Sequence, residues 1–466
     1  MAKKIVKSTV SRDELKNAPA AYFKSLTLEN VKCFKGKQTI DLSDGHGKPA
    51  NWTVILGNNN TGKTTILKAL VGLSAVEYVN EISRKYGDTK TYVEPLYSKF
   101  KLLDLLNGTQ KGYVRSKIFI KPKTLENIGY LIFNGLSTPD WHWEYGEANN
   151  SIVSLPIALY SELANLTLFP YSTHRKISDG FGSNSNNDID EIEDQYRNFI
   201  KGTDLDNVEE WILQLSLSEK LGRAKAKDIL NQIYNILTSG LLPDIKGFEI
   251  KSEGEGAIFS NFVLFDTDYG HIRLNDLGYG YQSMMAWVLD LVRRMVERYP
   301  DSKNPLEEPA IVLVDEIDLH LHPEWQRKII AHLTKYFPNT QFIVTAHSPL
   351  IVQSADNINV VLLRKEGDHT IIEQPKMRNF KGWTVEEILS DLMDLDGKTM
   401  SETYMTWVND FTEGIENDDF EQAQNAYKEL DKILHPRSEL RKLFRLEMTS
   451  LTPSPSNRDA STVSAL

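Results

Sequence analysis

The stretch Gly57-Asn58-Asn59-Asn60-Thr61-Gly62-Lys63-Thr64 constrains this chain more than any other, because it has the form G-x-x-x-x-G-K-T in the local setting that the motif requires. The apolar run Trp52-Thr53-Val54-Ile55-Leu56 before it reads as a buried strand. Thr65-Ile66-Leu67-Lys68-Ala69-Leu70-Val71 after it reads as the start of an amphipathic helix. Glycines at both ends let the backbone curl until successive N–H groups converge on phosphate oxygens, and the helix opening at Lys63 adds its positive dipole end. Gly57 through Thr65 are therefore the expected phosphate cradle for ATP. Lys63 is expected to neutralise the terminal phosphates and Thr64 to ligate Mg²⁺. The same pattern commits the chain to an α/β fold with a parallel or mixed sheet.

Two later strands carry the rest of the chemistry. Ala310-Ile311-Val312-Leu313-Val314 is a continuous aliphatic run, as expected of a strand buried on both faces, and it ends in Asp315-Glu316. Acids at the end of such a strand are costly unless they have a task. Asp315 is the expected second protein ligand of Mg²⁺, and Glu316 the expected general base that orients water. Gln341-Phe342-Ile343-Val344-Thr345-Ala346-His347 is another buried strand and delivers His347, a γ-phosphate contact, to the same end.

Between these regions, Leu274-Asn275-Asp276-Leu277-Gly278-Tyr279-Gly280-Tyr281-Gln282-Ser283 reads as a Gly-rich loop before an apolar helix opening at Met284. Here the chain resembles the ATP-binding-cassette ATPases of the RecF/SMC/OLD group, whose signature loop has the form L-S-x-G-x-x-S. Leu277, Gly280 and Ser283 match, whereas Gly278 stands where the family has its serine. The opening hairpin, Ser25 to Phe34 and Thr39 to Leu42, and the stretch Asp318-Leu319-His320-Leu321-His322-Pro323 also resemble that group. In all, five motifs in family order span about residues 22–360. The resemblance implies a head-to-tail homodimer or higher oligomer in which Gly278, Gly280, Gln282 and Ser283 of one subunit complete the ATP site of the other. It also implies a polar nucleotide sensor near Tyr171-Ser172-Thr173-His174-Arg175, although no Q-loop glutamine is evident there.

The resemblance divides the chain into an N-terminal tail (1–19), an ATPase domain (20–365) with an inserted helical signature subdomain (about 193–295), a C-terminal helical region (366–450) and a disordered polar tail (451–466). Residues 178–192, rich in Gly, Ser, Asn and Asp, read as a mobile loop. No heptad run is long enough for the coiled coil of SMC proteins. The C-terminal region lacks the strand-borne acids of a TOPRIM nuclease, which some OLD-type relatives carry, so no nuclease is expected in this chain. A free-standing ATPase of this type resembles those of Septu and retron anti-phage systems, which implies a separate nuclease effector of HNH type. Two other readings stay open: a repair ATPase that loads directly onto DNA, and an ATP-switched scaffold with little turnover.

Composition narrows the setting. Hydrophobic residues are 41% and charged residues 25% of the 466, with a net charge of −11. That balance argues against a surface coated in nucleic acid, and any such contact needs a local patch; Arg115 to Lys123 is one candidate and is equally a solvated strand. No apolar run is long enough to span a membrane, and the basic N-terminus lacks a signal-peptide core, so the expected location is cytoplasmic with no membrane association. The single cysteine, Cys33, fits a reducing compartment. His320 and His322 have no third ligand nearby and read as loop residues rather than a metal site.

Overall fold

The computed structural model describes residues 20–74, 76–82, 89–95, 112–120, 125–133, 140–145, 167–178, 199–200, 202, 204–238, 245–255, 258–354, 356–395 and 400–451. The N-terminal tail, the patch side chains at 115–123, nearly all of the loop expected at 178–192 and the tail past 451 lie outside what is described. The chain divides into two compact units, Met1–Val385 and Glu386–Leu466.

The first unit is built on two sheets. The central one has six strands, in the order β16 (His369–Glu373), β15 (Asn359–Glu366), β3 (Trp52–Gly57), β14 (Thr340–Thr345), β13 (Ala310–Val314) and β9 (Leu168–Tyr171). From β15 to β9 the pairing is parallel, and only β16 runs antiparallel. Strands β3, β13 and β14 are almost wholly buried, as their unbroken apolar sequences require. The second sheet is antiparallel, in the order β2 (Phe34–Asp41), β1 (Ala21–Val31), β6 (Gly112–Ile120), β7 (Leu125–Phe133) and β8 (Asp140–Tyr145). Helix α1 (Lys63–Ser74) lies in the core that joins the sheets, where Ile66, Leu67 and Leu70 pack with Phe23, Leu26 and Leu28 of β1 and with Ile55, Leu313 and Ile343 of the central sheet. Burial of an aliphatic side chain of this size contributes about 1.5–3 kcal/mol, so this cluster dominates the local stability. Gln341 adds a polar tie: its amide is buried and pairs with both the N–H and the carbonyl of Phe23, at 2.9 and 2.8 Å. A hairpin of β4 (Val76–Ile82) and β5 (Thr89–Pro95) completes the strands before β6.

The segment expected to form a purely helical insertion is mixed. It has helices α2 (Val208–Lys220) and α3 (Ala224–Ile236), but also a three-stranded antiparallel sheet of β10 (Ile245–Glu255), β11 (Ile258–Thr267) and β12 (Gly270–Arg273). Phe248-Glu249-Ile250 alternates with a strand period, and the continuous apolar run Phe262-Val263-Leu264-Phe265 of β11 buries Phe262, Val263 and Phe265. Helix α4 (Tyr279–Arg298) follows, buried along most of its length. It begins five residues before Met284, so Gly280, Gln282 and Ser283 belong to its first turns rather than to a loop. After β13, α5 (Ile329–Tyr336) leads into β14.

A second boundary also moves. Residues 366–384 are not helical: β16 continues the central sheet, because His369-Thr370-Ile371-Ile372-Glu373 pairs antiparallel with β15. The second unit holds α6 (Glu402–Glu416), α7 (Phe420–Ile433) and α8 (Glu439–Ser450). Its small core is Phe411, Ala423, Ala426, Leu430 and Phe444. Asp419 caps α7 by accepting the Gln422 N–H at 3.0 Å, and Ser401 caps α6.

Candidate active site

Strands β3, β13 and β14 lie side by side and run in the same direction, so the residues that follow them come together at one end of the sheet. After β3 the chain turns through Gly57–Gly62 into α1. Asn58, Asn59 and Asn60 are exposed at the turn, and Asn60 adopts a left-handed backbone (φ 64°), which asparagine tolerates. Gly62 has φ +96°, and a β carbon there would meet Cys33 Sγ at 2.6 Å and the Phe34 ring at 2.8 Å. No other residue fits, because the hairpin of the antiparallel sheet presses on the back of the loop. The first turn of α1 holds no acidic residue, so the helix itself places no carboxylate at its positive end.

Lys63 is buried and donates from Nζ to the carbonyls of Gly57 (2.7 Å) and Asn58 (3.0 Å). Burial pushes its ammonium below the usual lysine range, against the opposing pull of Glu316, Asp315 and Asp318. Thr64 is exposed, and its hydroxyl donates to Asp315 Oδ2 at 2.7 Å. The other carboxylate oxygen, Oδ1, accepts from the Thr345 hydroxyl at 2.7 Å. Thr345 in turn accepts the Glu316 N–H at 2.7 Å, so one hydroxyl links both acids. Glu316 itself sits at φ +51°, a sparsely populated conformation for glutamate of the kind that clusters at functional sites. Its Oε1 lies 3.8 Å from Nε2 of His347, and the His347 N–H donates to Asp318 Oδ2 at 2.9 Å.

The structure thus brings together the P-loop, Asp315, Glu316 and His347. It adds three residues that lie within stretches named in the sequence but to which sequence reasoning gave no individual role. Thr345 is the last residue of β14, and a hydroxyl at a strand end beside an acid pair is a signal that could have found it. Asp318 lies within a stretch already noted for its resemblance. Arg175 has no local motif: it is buried, donates from Nε to Ser172 O at 3.0 Å, and holds the carbonyls of Asp315 and of Glu316, the latter at 2.9 Å. Burial pushes its guanidinium down to about 10, although Asp315, Asp318 and Glu316 favour the charge.

The start of α4 differs from what its sequence suggests. Gly278 is exposed at the N-cap position, and a β carbon there would meet nothing closer than Tyr281 Cδ2 at 3.8 Å. A β carbon on Gly280 would instead run into the carbonyl oxygen of His320 in the same chain. Gln282 donates its amide to Asn275 O (3.0 Å) and Leu277 O (2.7 Å), and Ser283 is buried in the helix. Gly280, Gln282 and Ser283 therefore anchor the first turns of α4 to their surroundings, and Gly278 is the residue left open at the helix start. Around them, the Tyr279 ring meets His320 edge-on at 4.7 Å and Tyr281 meets Trp325 at 4.3 Å. His322 Nδ1 accepts the Glu324 N–H at 3.3 Å, a capping contact at the start of the short helix that follows. Further along α4, Asp290 is fully buried and accepts from Tyr171 (3.0 Å), Arg293 (2.8 Å) and Arg294 (2.6 Å). Burial opposes its charge, but Arg294 and Arg293 outweigh it and hold the carboxyl below the usual range.

Among the described residues no helix is long and apolar enough to cross a membrane. The chain is 27% identical over 406 residues to the Septu protein PtuA of Bacillus thuringiensis, covering 85% of this chain and 91% of that one. It is 26% identical over 388 residues to the retron Vc95 probable ATPase of Vibrio cholerae serotype O1 biovar El Tor, covering 73% and 74%. Among solved structures, an SMC head bound to the C-winged helix domain of ScpA overlays at a TM-score of 0.45 with 13% identity, over 78% of this chain and 99% of that one. The expected likeness to Septu and retron ATPases is borne out. A profile of the AAA ATPase domain (AAA_15) matches residues 80–352, more than half of the 466. The chain binds nucleotide as an ATPase and belongs to the AAA_15 family of AAA ATPase domains.

Proposed function

We propose that the chain hydrolyses ATP where the P-loop faces the Asp315–Glu316 turn, and that this turnover controls a separate nuclease in an anti-phage complex. The observation that carries the first part is the bond from Thr64 to Asp315: it joins the P-loop helix directly to the acid pair across the sheet end. Backbone N–H groups from Gly57 to Thr65 and the Lys63 ammonium hold the phosphates. The Thr64 hydroxyl and Asp315 carboxylate, two hard oxygens at the same spot, fit Mg²⁺. When bound, that ion would offset charge on the β- and γ-phosphates. Glu316 accepts a proton from the attacking water, and His347, exposed beside it, contacts the γ-phosphate.

Gly278 and the first N–H groups of α4 suit a phosphate brought by a second copy, since a helix N-terminus with no side chain over it is an anion site. Two copies head to tail would give two such composite sites. The anti-phage role and the nuclease partner, of HNH type, rest on the resemblance to Septu and retron ATPases.

Glu316→Gln tests the chemistry. Nucleotide binding is expected to persist while turnover falls about 10²–10⁴-fold, the usual contribution of a positioned base. Unchanged turnover removes Glu316 from the mechanism. Phage plating on cells that carry the chain with its neighbouring reading frames tests the role. Protection that survives Lys63→Ala would separate defence from ATP.

A further inference from the structure

Arg175 is a buried cation bonded to carbonyls. Among the described residues no carboxylate forms an ion pair with it. Such a group is expensive to desolvate and persists where something depends on it. Its contacts are specific. The carbonyls of Asp315 and Glu316 flank the turn in which Glu316 takes a left-handed backbone, and one guanidinium nitrogen reaches both. Its neighbour Tyr171 accepts the Asp315 N–H at 2.9 Å, so residues 171–175 hold the turn at three backbone atoms.

The same short segment is tied to helix α4. The Arg175 guanidinium lies 6.0 Å from the centre of the Trp287 ring, and the Tyr171 hydroxyl donates to Asp290 one turn further along. Helix α4 begins at the Gly278 loop, so a continuous set of contacts runs from that loop to the acid turn.

We propose that Arg175 is the positioning residue of the hydrolytic turn: it fixes the Asp315–Glu316 carbonyls so that the Glu316 carboxylate is aimed, and it relays the placement of α4 to that turn. The inference rests on the reading of Glu316 as the general base. Arg175 acts through Glu316 and touches no substrate. A lysine keeps the charge but loses the fork that bonds the Ser172 carbonyl through Nε while a terminal nitrogen holds the Asp315 and Glu316 carbonyls.

The test is a double-mutant cycle on the full chain, read in single-turnover ATP hydrolysis. Arg175→Lys is expected to lower kcat about 10²-fold, the scale of a roughly 1 Å misplacement of a reacting group, with KM near the parent value. In a Glu316→Gln background the same change is expected to cost nothing further, because there is no base left to aim. A parental kcat in Arg175→Lys overturns the proposal, since charge alone would then suffice. An equal loss in both backgrounds also overturns it, since Arg175 would be acting independently. If the lysine variant does not fold, Arg175→Gln replaces it in the cycle. Failure of both to fold assigns Arg175 to stability alone and overturns the proposal. Unchanged turnover in Glu316→Gln by itself defeats the base reading, and it is read separately from the split of kcat and KM in Arg175→Lys.

Discussion

The P-loop and the glycine-containing stretch at the start of α4 differ in where their constraints come from. The P-loop is enclosed by its own subunit: Cys33 and Phe34 press on Gly62, Lys63 bridges the loop carbonyls, and Thr64 reaches the acid pair. The loop before α4 is braced from behind in the same way, through Gly280 on the His320 carbonyl and Gln282 on Asn275 and Leu277. Its front differs, because Gly278 faces outward with open space around it. The first is enclosed on every side the described contacts reach, whereas the second is braced behind and leaves Gly278 open in front. A glycine in a signature-like sequence can therefore serve packing or contact, and only the distances to its neighbours tell which.

The comparison is sharpest at Gly278. Gly278→Arg is expected to leave folding and single-subunit nucleotide binding intact, and to lower turnover about 10²–10³-fold by placing a long side chain between the backbone donors and the phosphate of a composite site. Mixed with Lys63→Ala, which keeps its own Gly278, it is expected to regain part of that turnover through one intact shared site. No recovery from two folded, dimerising variants would count against shared sites. Lys63→Ala alone is expected to weaken nucleotide binding about 10–10²-fold, the loss of a charge-assisted contact worth about 1.5–3 kcal/mol; parental affinity by titration with a fluorescent nucleotide would sink the cradle reading. The smallest effect concerns stability. Gly280→Ala is expected to cost about 1–3 kcal/mol in denaturant unfolding because it overpacks against His320. Gly278→Ala, at an exposed position, should stay within about 0.5 kcal/mol. Equal stabilities would erase the distinction between the two glycines.

The P-loop, Asp315, Glu316 and His347 were legible because each belongs to a short pattern whose chemistry is local: a strand, a polar end and a turn. Thr345 and Arg175 were not, because their roles arise from sheet order. β13 lies between β9 and β14. That placement puts residues 171–175 on one side of the acid turn and Thr345 on the other, and no sequence interval announces it. The strands β10 to β12 were missed for another reason. The resemblance implied a helical insertion, and the strand-like stretches at Phe248–Ile250 and Phe262–Phe265 were not weighed against it. The helical part of the C-terminal region was legible in its charged amphipathic pattern, and its boundary slipped because β16 is a short edge strand.

The peptide unit joining Asp315 and Glu316 is gripped on both faces. Its N–H is taken by the Thr345 hydroxyl, and its carbonyl by Arg175. A crankshaft rotation of that unit, a common way for a turn to switch states, would break both contacts at once and leave two buried dipoles unanswered. The side chains of Glu316 and His347, by contrast, are about a third exposed (33% and 39%), so a change of rotamer at either would leave both of those backbone contacts in place.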